Sequence, residues 1–394
     1  MKQYYYFAAI LFFTVSLNAQ VINIPDAQFN AQLLSEAIAT FNNQAILLDA
    51  NGNGEIEQEE ALMVTGLSLN QGEIVSLEGI QYFTNLKVLY CNFNRIANID
   101  YDLPLLESLW CDMNRITHLD MVHFPRLNWL NCGGNLLTSL DLRQNEMWLL
   151  FAPSNLLEDV HFGALASNAY IDVSYNNLTS LEILAPGKHL HRVEFNDNPL
   201  VHFNIEAISF DNLACLNTSL THLDLSKIGR GEDIVGDFEI SNNPNLRSIT
   251  LKNNASHFCI PPASSNCLET TFTLQNNPLL ESICVDEGSE TEFLQPYATA
   301  LGFTLTSDCV LAVNNAAVSE STIYPNPANE VLNIHSNVAF NQVRILNMLG
   351  QVVSVLNAAP NNDLTINVSD LKTGTYFVEI TSDKGKSTQK LIKD

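Results

Sequence analysis

The densest set of chemically capable side chains lies between Asp49 and Glu60, in the run Asp-Ala-Asn-Gly-Asn-Gly-Glu-Ile-Glu-Gln-Glu-Glu. Oxygen donors recur at Asp49, Asn51, Asn53, Glu57 and Glu60, Glu55 is placed to offer its main-chain carbonyl, and Gly54 stands where the sharp turn belongs. This is the spacing of a 12-residue calcium loop, whose hard cation takes six to eight oxygens. An Asn/Gly turn with acidic neighbours is the alternative. Calcium bound there would stiffen its surroundings; nothing in the run points to catalysis.

Elsewhere the residue types of catalysis occur without its spacings. There is no nucleophile elbow, no H-E-x-x-H and no Cys-x-x-Cys. His189 and His191 flank Leu190, with no carboxylate at a repeating metal-ligand spacing. Paired acids are plentiful, but stacked acidic columns generate such pairs without chemistry, so they weigh little for glycoside hydrolysis. The net charge is -25, and residues 311–394 carry six Lys/Arg against seven Asp/Glu, so the excess acid lies upstream. Such a surface argues against nucleic acid and anionic membranes, which want Lys/Arg clusters.

What positions these groups is a repeat. The pattern L-x-x-L-x-[LC]-x-x-N-x-[LI] runs from Leu86 to Leu200, with its asparagines at Asn94, Asn114, Asn135, Asn155, Asn176 and Asn198. Those lie 20, 21, 20, 21 and 22 residues apart, the period of a leucine-rich repeat. Each repeat supplies a short strand whose inward face is buried only by stacking on its neighbours. The asparagines carry both a donor and an acceptor, so an interior column of them can satisfy the turn that follows each strand. Leu67, Leu69, Ile74, Leu77 and Ile80 read as a degenerate first repeat with Gly72 in the asparagine slot. Leu220–Leu225, Leu246–Asn254 and Phe272–Leu279 read as later, stretched ones after an insertion around Asp211–Ser219, about nine repeats in all. Six positions beyond each asparagine, Asp100, Asp120, Asp141, His161, Glu182 and Asn204 form an outer column, its acids read as acceptors for local backbone N–H groups.

The strand residues that alternate with the buried ones face the concave side. They include Tyr90, Trp110 and Phe151 on one track and Trp129 and Tyr170 on the next, with Asp112, Asp172, Arg192 and Glu194 among them. Aromatic rings on a solvated sheet face suit a protein hot spot or a stacked sugar. Their alternative role is to cover one another along the ladder.

The expected domain plan follows. Residues 1–19 read as a secretory signal: Lys2 is the positive end, Phe7–Val15 the apolar run, and Leu17-Asn18-Ala19 precedes the cut. Residues 20–66 form an N-terminal cap with a helix capped by Asp26 and apolar Phe29, Leu33, Leu34 and Ile38. Residues 67–309 hold the repeats and a C-terminal cap, 310–322 a linker, and 323–394 a small β-sandwich of short alternating strands. The fold class is therefore mainly β with some α. Of eight cysteines, Cys91, Cys111 and Cys132 fill an inward strand slot as small hydrophobes, whereas bridges are expected at Cys284–Cys309 and Cys259–Cys267.

Two resemblances attach to these motifs. With the Ile-Pro-Asp-Ala-x-Phe start of the cap and the calcium-type loop, residues 23 to 309 resemble internalin-type leucine-rich repeat proteins of the Bacteroidetes surface. Tyr324-Pro-Asn-Pro-Ala328, Val343-x-Ile-x-Asn-x-Leu-Gly350-Gln, Val368-Ser-x-Leu371-x-x-Gly374-x-Tyr376 and Lys390-Leu-Ile-Lys393 resemble the type IX secretion sorting domain, type A. The second resemblance implies export by the type IX machinery, removal of the tail by a sortase, and release or attachment at the outer-membrane surface. The expected function is a secreted or surface-attached binding protein, not an enzyme, with a protein or glycan on the concave face. A secreted polysaccharide-acting hydrolase and a structural surface-layer component are the alternatives.

Overall fold

The computed structural model describes residues 20–35, 38–228, 236–253, 271–309, 321–347, 352–382 and 385–393. The signal segment 1–19, Asn254, Cys259, Cys267 and linker residues 310–320 lie outside them. The chain divides into two compact units, Met1–Asp308 and Cys309–Asp394.

The first unit is a coil of stacked turns, each contributing one strand to a 12-stranded sheet. Two of its strands, Ala39–Phe41 and Gln44–Ile46, belong to the cap and pair antiparallel. The other ten are parallel, from Gly66–Ser68 through Val88–Tyr90, Ser108–Trp110, Trp129–Asn131, Met147–Phe151, Leu165–Asp172, His189–Glu194, Ser209–Ala214 and Asp237–Glu239 to Thr271–Thr273. The inward residues Leu67, Leu89, Leu109, Leu130, Leu150, Ile171, Val193 and Leu213 are all at most 1% exposed and form one continuous interior. A single coil could not bury them, so the stacking is the source of the core.

The asparagines form the interior file that the repeat implies. Asn114 donates through Nδ2 to the carbonyls of Cys91 and Cys111, and its Oδ1 accepts from Ile96 N at 3.0 Å. Asn94, Asn135, Asn155, Asn176 and Asn198 repeat that pattern, each tying its own coil to the preceding one. Beyond them, Asn243 and Asn277 do the same for later coils. Cys91, Cys111 and Cys132 are buried, unpaired and stacked in one slot, their thiols pushed up by burial. In the outer column Asp120 accepts from Val122 N and Asp141 from Arg143 N, the local bonds expected of them.

Past Leu200 the assignment of strands differs from expectation. Leu220–Leu225 and Leu246–Leu251 do not continue the main sheet; their strands His222–Asp224 and Ser248–Thr250 pair with each other in a separate sheet that runs on through Ser282–Cys284 to Thr304–Thr306. The segment read as an insertion supplies the main-sheet strand Ser209–Ala214 instead. From Ser139 onward each turn carries a second strand, beginning with Ser139–Leu142 paired to Asp159–Phe162 and Ser180–Leu184 paired to His202–Glu206. Both sides bury an L-x-L pair, so the motif alone could not tell front from back.

Both ends of the coil are closed. At the N-terminus Asp26 Oδ1 caps the helix Ala27–Leu33 through Gln28 N and Phe29 N. Its Oδ2 accepts from Val75 N and Ser76 N in the first coil. Burial alone would raise the Asp26 carboxyl, but these four N–H groups outweigh it and hold it below its usual range. The helix is shorter than the apolar spacing implied: Ile38 lies outside it and leads into the hairpin. At the other end, the helix Ser289–Leu301 buries Leu294 and Ala298 against the last coils. Cys284 and Cys309, the two cysteines expected to bridge, are each disulfide-bonded.

The second unit is a five-stranded antiparallel sheet around Leu332, Ile334, Val343, Ile345, Ile366, Val378, Ile380 and Leu391. Four of the expected short strands merge into two long ones, Val331–Leu346 and Val352–Asn367, whose pairing breaks register between His335 and Phe340. Asn326 bonds both Lys390 O and Ile392 N, which fixes the Tyr324-Pro-Asn-Pro-Ala328 motif against the final strand. Ser321 and Thr322, placed in the linker from sequence, already belong to the strand Ser321–Tyr324.

Candidate functional site

Strand register places the outward residues of the main sheet in straight tracks. One reads Ser68, Tyr90, Trp110, Asn131, Phe151, Asp172, Glu194. The adjacent one reads Gly66, Val88, Ser108, Trp129, Leu149, Tyr170, Arg192. Tyr90 and Trp110 are neighbours with ring centroids 5.9 Å apart, and Phe151 and Tyr170 lie 6.3 Å apart. The expected residues Tyr90, Trp110, Trp129, Phe151 and Tyr170 therefore share one surface, with Trp129 43% exposed and Tyr90 36%.

The acids among them are held in place. Asp112 accepts from Asn131 Nδ2 at 3.0 Å, and burial raises its carboxyl. Asp172, buried within its track, accepts from Ser174 N at 2.9 Å. Glu194 pairs with Arg192, whose guanidinium lies 5.8 Å from the centre of the Tyr170 ring. Burial pushes the Glu194 carboxyl up, and nearby Asp172 adds to the shift. The result is an aromatic shelf whose far end carries the Arg192–Glu194 pair beside Asp172.

Three features of this face were not legible as a site. Trp148, 46% exposed, lies on the same strand as Phe151. Asp211 bridges His189 Nε2 at 3.2 Å and His191 Nδ1 at 2.7 Å, while Ser209 Oγ meets His189 Nδ1 at 2.7 Å. That carboxylate sits twenty residues from His191, in the segment read as an insertion, so only the stacking of the two strands reveals it. The third is a cleft of about 650 Å³ where the cap hairpin meets the first coils, lined by Thr40, Asn42, Asn43, Lys87, Tyr90 and Glu107 among others.

The cap loop is a tight turn closed by its own side chains. Asp49 accepts from Gly52 N, Asn53 N and Gly54 N, and Glu57 accepts from the side-chain amides of Asn51 and Asn53. Glu60 takes Ala50 N and Glu57 N, so Glu57 and Glu60 also form a capping box on the short helix Gln58–Ala61. Ile56 is buried, and Ile22 N bonds its carbonyl, which anchors the loop to the start of the cap. Burial and the adjacent Glu57 raise the Glu60 carboxyl, whereas hydrogen bonds from Glu60 and Asn53 hold Glu57 below the usual range. The residue types suit a hard cation, but the amide nitrogens of Asn51 and Asn53 face Glu57 and their oxygens accept from Asn53 N and Glu55 N, so both amides would have to turn to ligate one. Among the described residues no group of three or more His, Cys, Asp or Glu side chains is arranged to hold a metal. The amides Asn51 and Asn53 and the Glu55 carbonyl are thus needed to complete the set.

Residues 322–394 match the family described as the secretion system C-terminal sorting domain. The C-terminal unit is a secretion sorting domain. A protein bearing this type IX tail is secreted or attached at the outer cell surface. No match among curated proteins is significant. Among solved structures, the functional domain of InlJ from Listeria monocytogenes, which includes a cysteine ladder, is 16% identical over 95% of this chain and 99% of that one, with a TM-score of 0.32. The internalin InlF of the same species is 16% identical over 74% of this chain and 92% of its own, with a TM-score of 0.36. The leucine-rich repeat domain of APL1B is 18% identical over 54% and 80%, with a TM-score of 0.27.

Proposed function

We propose that the protein is an exported binding module whose concave aromatic shelf takes a protein or glycan ligand. The observation that carries this reading is the alignment of Tyr90, Trp110, Trp129, Phe151 and Tyr170 on one outward surface. The solenoid's core is complete without them, so their outward rings are surplus to folding. Large aromatics in a rigid frame are what interface hot spots are built from. The sorting tail brings that shelf outside the cell, and its removal by a sortase, with release or surface attachment, completes delivery. Printed glycan and protein arrays probed with the labelled mature chain test the reading. Spots that bind the wild type and fade with Trp110→Ala and Trp129→Ala are expected; undiminished signal in both variants contradicts it.

Calcium in the cap loop is part of the same proposal. Asp49, Asn51, Asn53, Glu57, Glu60 and the carbonyl of Glu55 would hold it. The ion would neutralise the Glu57–Glu60 contact and lock the loop against the start of the cap. Its role is structural, and no step at the shelf passes through it.

A further inference from the structure

The cleft at the head of the shelf has features that the shelf alone does not require. Its outer wall is the hairpin Ala39–Phe41 to Gln44–Ile46, turned by Asn42 and Asn43 at φ 49° and 64°. Two left-handed residues make the tight turn that suits a two-residue hairpin. The turn is anchored by its backbone, with Asn42 N bonded to Thr65 Oγ1 at 3.0 Å. The side chains of Thr40, Asn42 and Asn43 enter no hydrogen bond with the described residues. Their amides and hydroxyl are thus available to a ligand.

The floor is open because a track begins on glycine. Gly66 occupies the slot that Val88, Ser108 and Trp129 fill further along. A Cβ there would lie 2.5 Å from Thr40 Oγ1, so the glycine leaves that hydroxyl over the floor of the cleft. Opposite the hairpin, Lys87 and Glu107 face each other at 3.6 Å and cancel in charge. Tyr90 forms the exit, and its ring leads to Trp110 at 5.9 Å.

We propose that this cleft is the end subsite for a neutral oligosaccharide whose following sugars lie along the Tyr90–Trp110–Trp129 shelf. The inference rests on the concave-face reading and narrows its ligand to a sugar chain. The chemistry fits at each point. A pyranose hydroxyl both donates and accepts, as do the amide and hydroxyl side chains of Asn42, Asn43 and Thr40. A paired Lys and Glu can bond hydroxyls while asking for no counter-charge from the ligand. Ring faces take the apolar C–H face of a sugar, and a volume of about 650 Å³ lies within the range of small-ligand sites. A protein partner would need a broad contact and gains nothing from a recess with open amides at one end.

The test is calorimetry on the mature chain with cellohexaose, mannohexaose and chitohexaose. Asn42→Gly with Asn43→Gly keeps the left-handed turn while removing both amides. Binding of one hexasaccharide, weakened at least tenfold in the double glycine variant and also in Trp110→Ala, is expected. Binding that is lost in Trp129→Ala but untouched by the glycine pair overturns the cleft and leaves the shelf standing. No binding to any of the three sugars, with array protein spots lost in Trp110→Ala, overturns the sugar and again leaves the shelf. Binding indifferent to all of these variants overturns both.

Discussion

Asn135 holds two coils together with one amide, accepting from Ile116 N and donating to the carbonyls of Cys111 and Cys132. Replacing it by alanine strands the buried Ile116 N–H, at about 1–3 kcal/mol, and removes one of the two amide bonds to each carbonyl, Asn114 and Asn155 supplying the other. Asn135→Ala is therefore expected to lower stability by on the order of 3 kcal/mol, read as a fall in Tm, whereas Trp129→Ala, on the outer face, leaves Tm nearly unchanged. Equal Tm for both variants would contradict the division into interior file and outer shelf. These roles were readable beforehand because a repeat fixes each residue's direction by its place in the period. The Asp211–His189–His191 cluster was not readable, since its carboxylate and imidazoles meet only through the register of two strands. The same is true of Asp26, whose capping role shows in its position but whose bonds to Val75 N and Ser76 N do not.

At the level of elements, the two ends of the coil respond to different conditions. With extracellular-type calcium affinity of roughly 10⁻⁴ to 10⁻³ M, a tenfold excess over Kd stabilises the folded protein by about 1.4 kcal/mol. Calcium is expected to raise Tm, EDTA to reverse it, and Glu60→Gln to abolish the response; a melt indifferent to chelator removes the metal from the account. The C-terminal cap responds to pH. Glu290 is 1% exposed, with Oε2 accepting from Asp286 N and Oε1 unpartnered. Burial, with the charge of Asp286 adding to it, pushes its carboxyl up to about 7 from 4.5. A folded-state value above the unfolded one favours the folded cap at low pH, fully below about 4.5, and that advantage disappears as pH rises through 7. Glu290→Gln should therefore gain Tm relative to the wild type between pH 5 and pH 8, and a constant difference across that range would contradict the assignment. Apolar spacing gave the cap helix but missed the hairpin beside it, because three-residue strands carry too little alternation to register. It also misplaced the strands after Leu200, because front and back of the coil use the same buried L-x-L pair.

At the scale of the molecule, a sealed coil presents the shelf and a separate sheet carries the export signal. Removing 319–394 should leave the coil folded and trap it inside the cell envelope, seen by fractionation; a truncated chain still at the surface would contradict the role of the tail. Both architectures were legible, the coil from its period and the tail from its motifs. The ligand was not, because the repeat constrains inward residues and leaves outward ones to vary. The chain has three tryptophans. All three, Trp110, Trp129 and Trp148, lie on strands of the concave sheet, two of them on its outward tracks, so a ligand on the shelf meets tryptophan directly. The most direct test is to titrate an array-identified ligand while following emission and acrylamide quenching beside calorimetry. A blue shift and protection from acrylamide that saturate with the binding heat are expected. A full binding heat with tryptophan emission and quenching unchanged would place the ligand elsewhere and contradict its binding on the shelf.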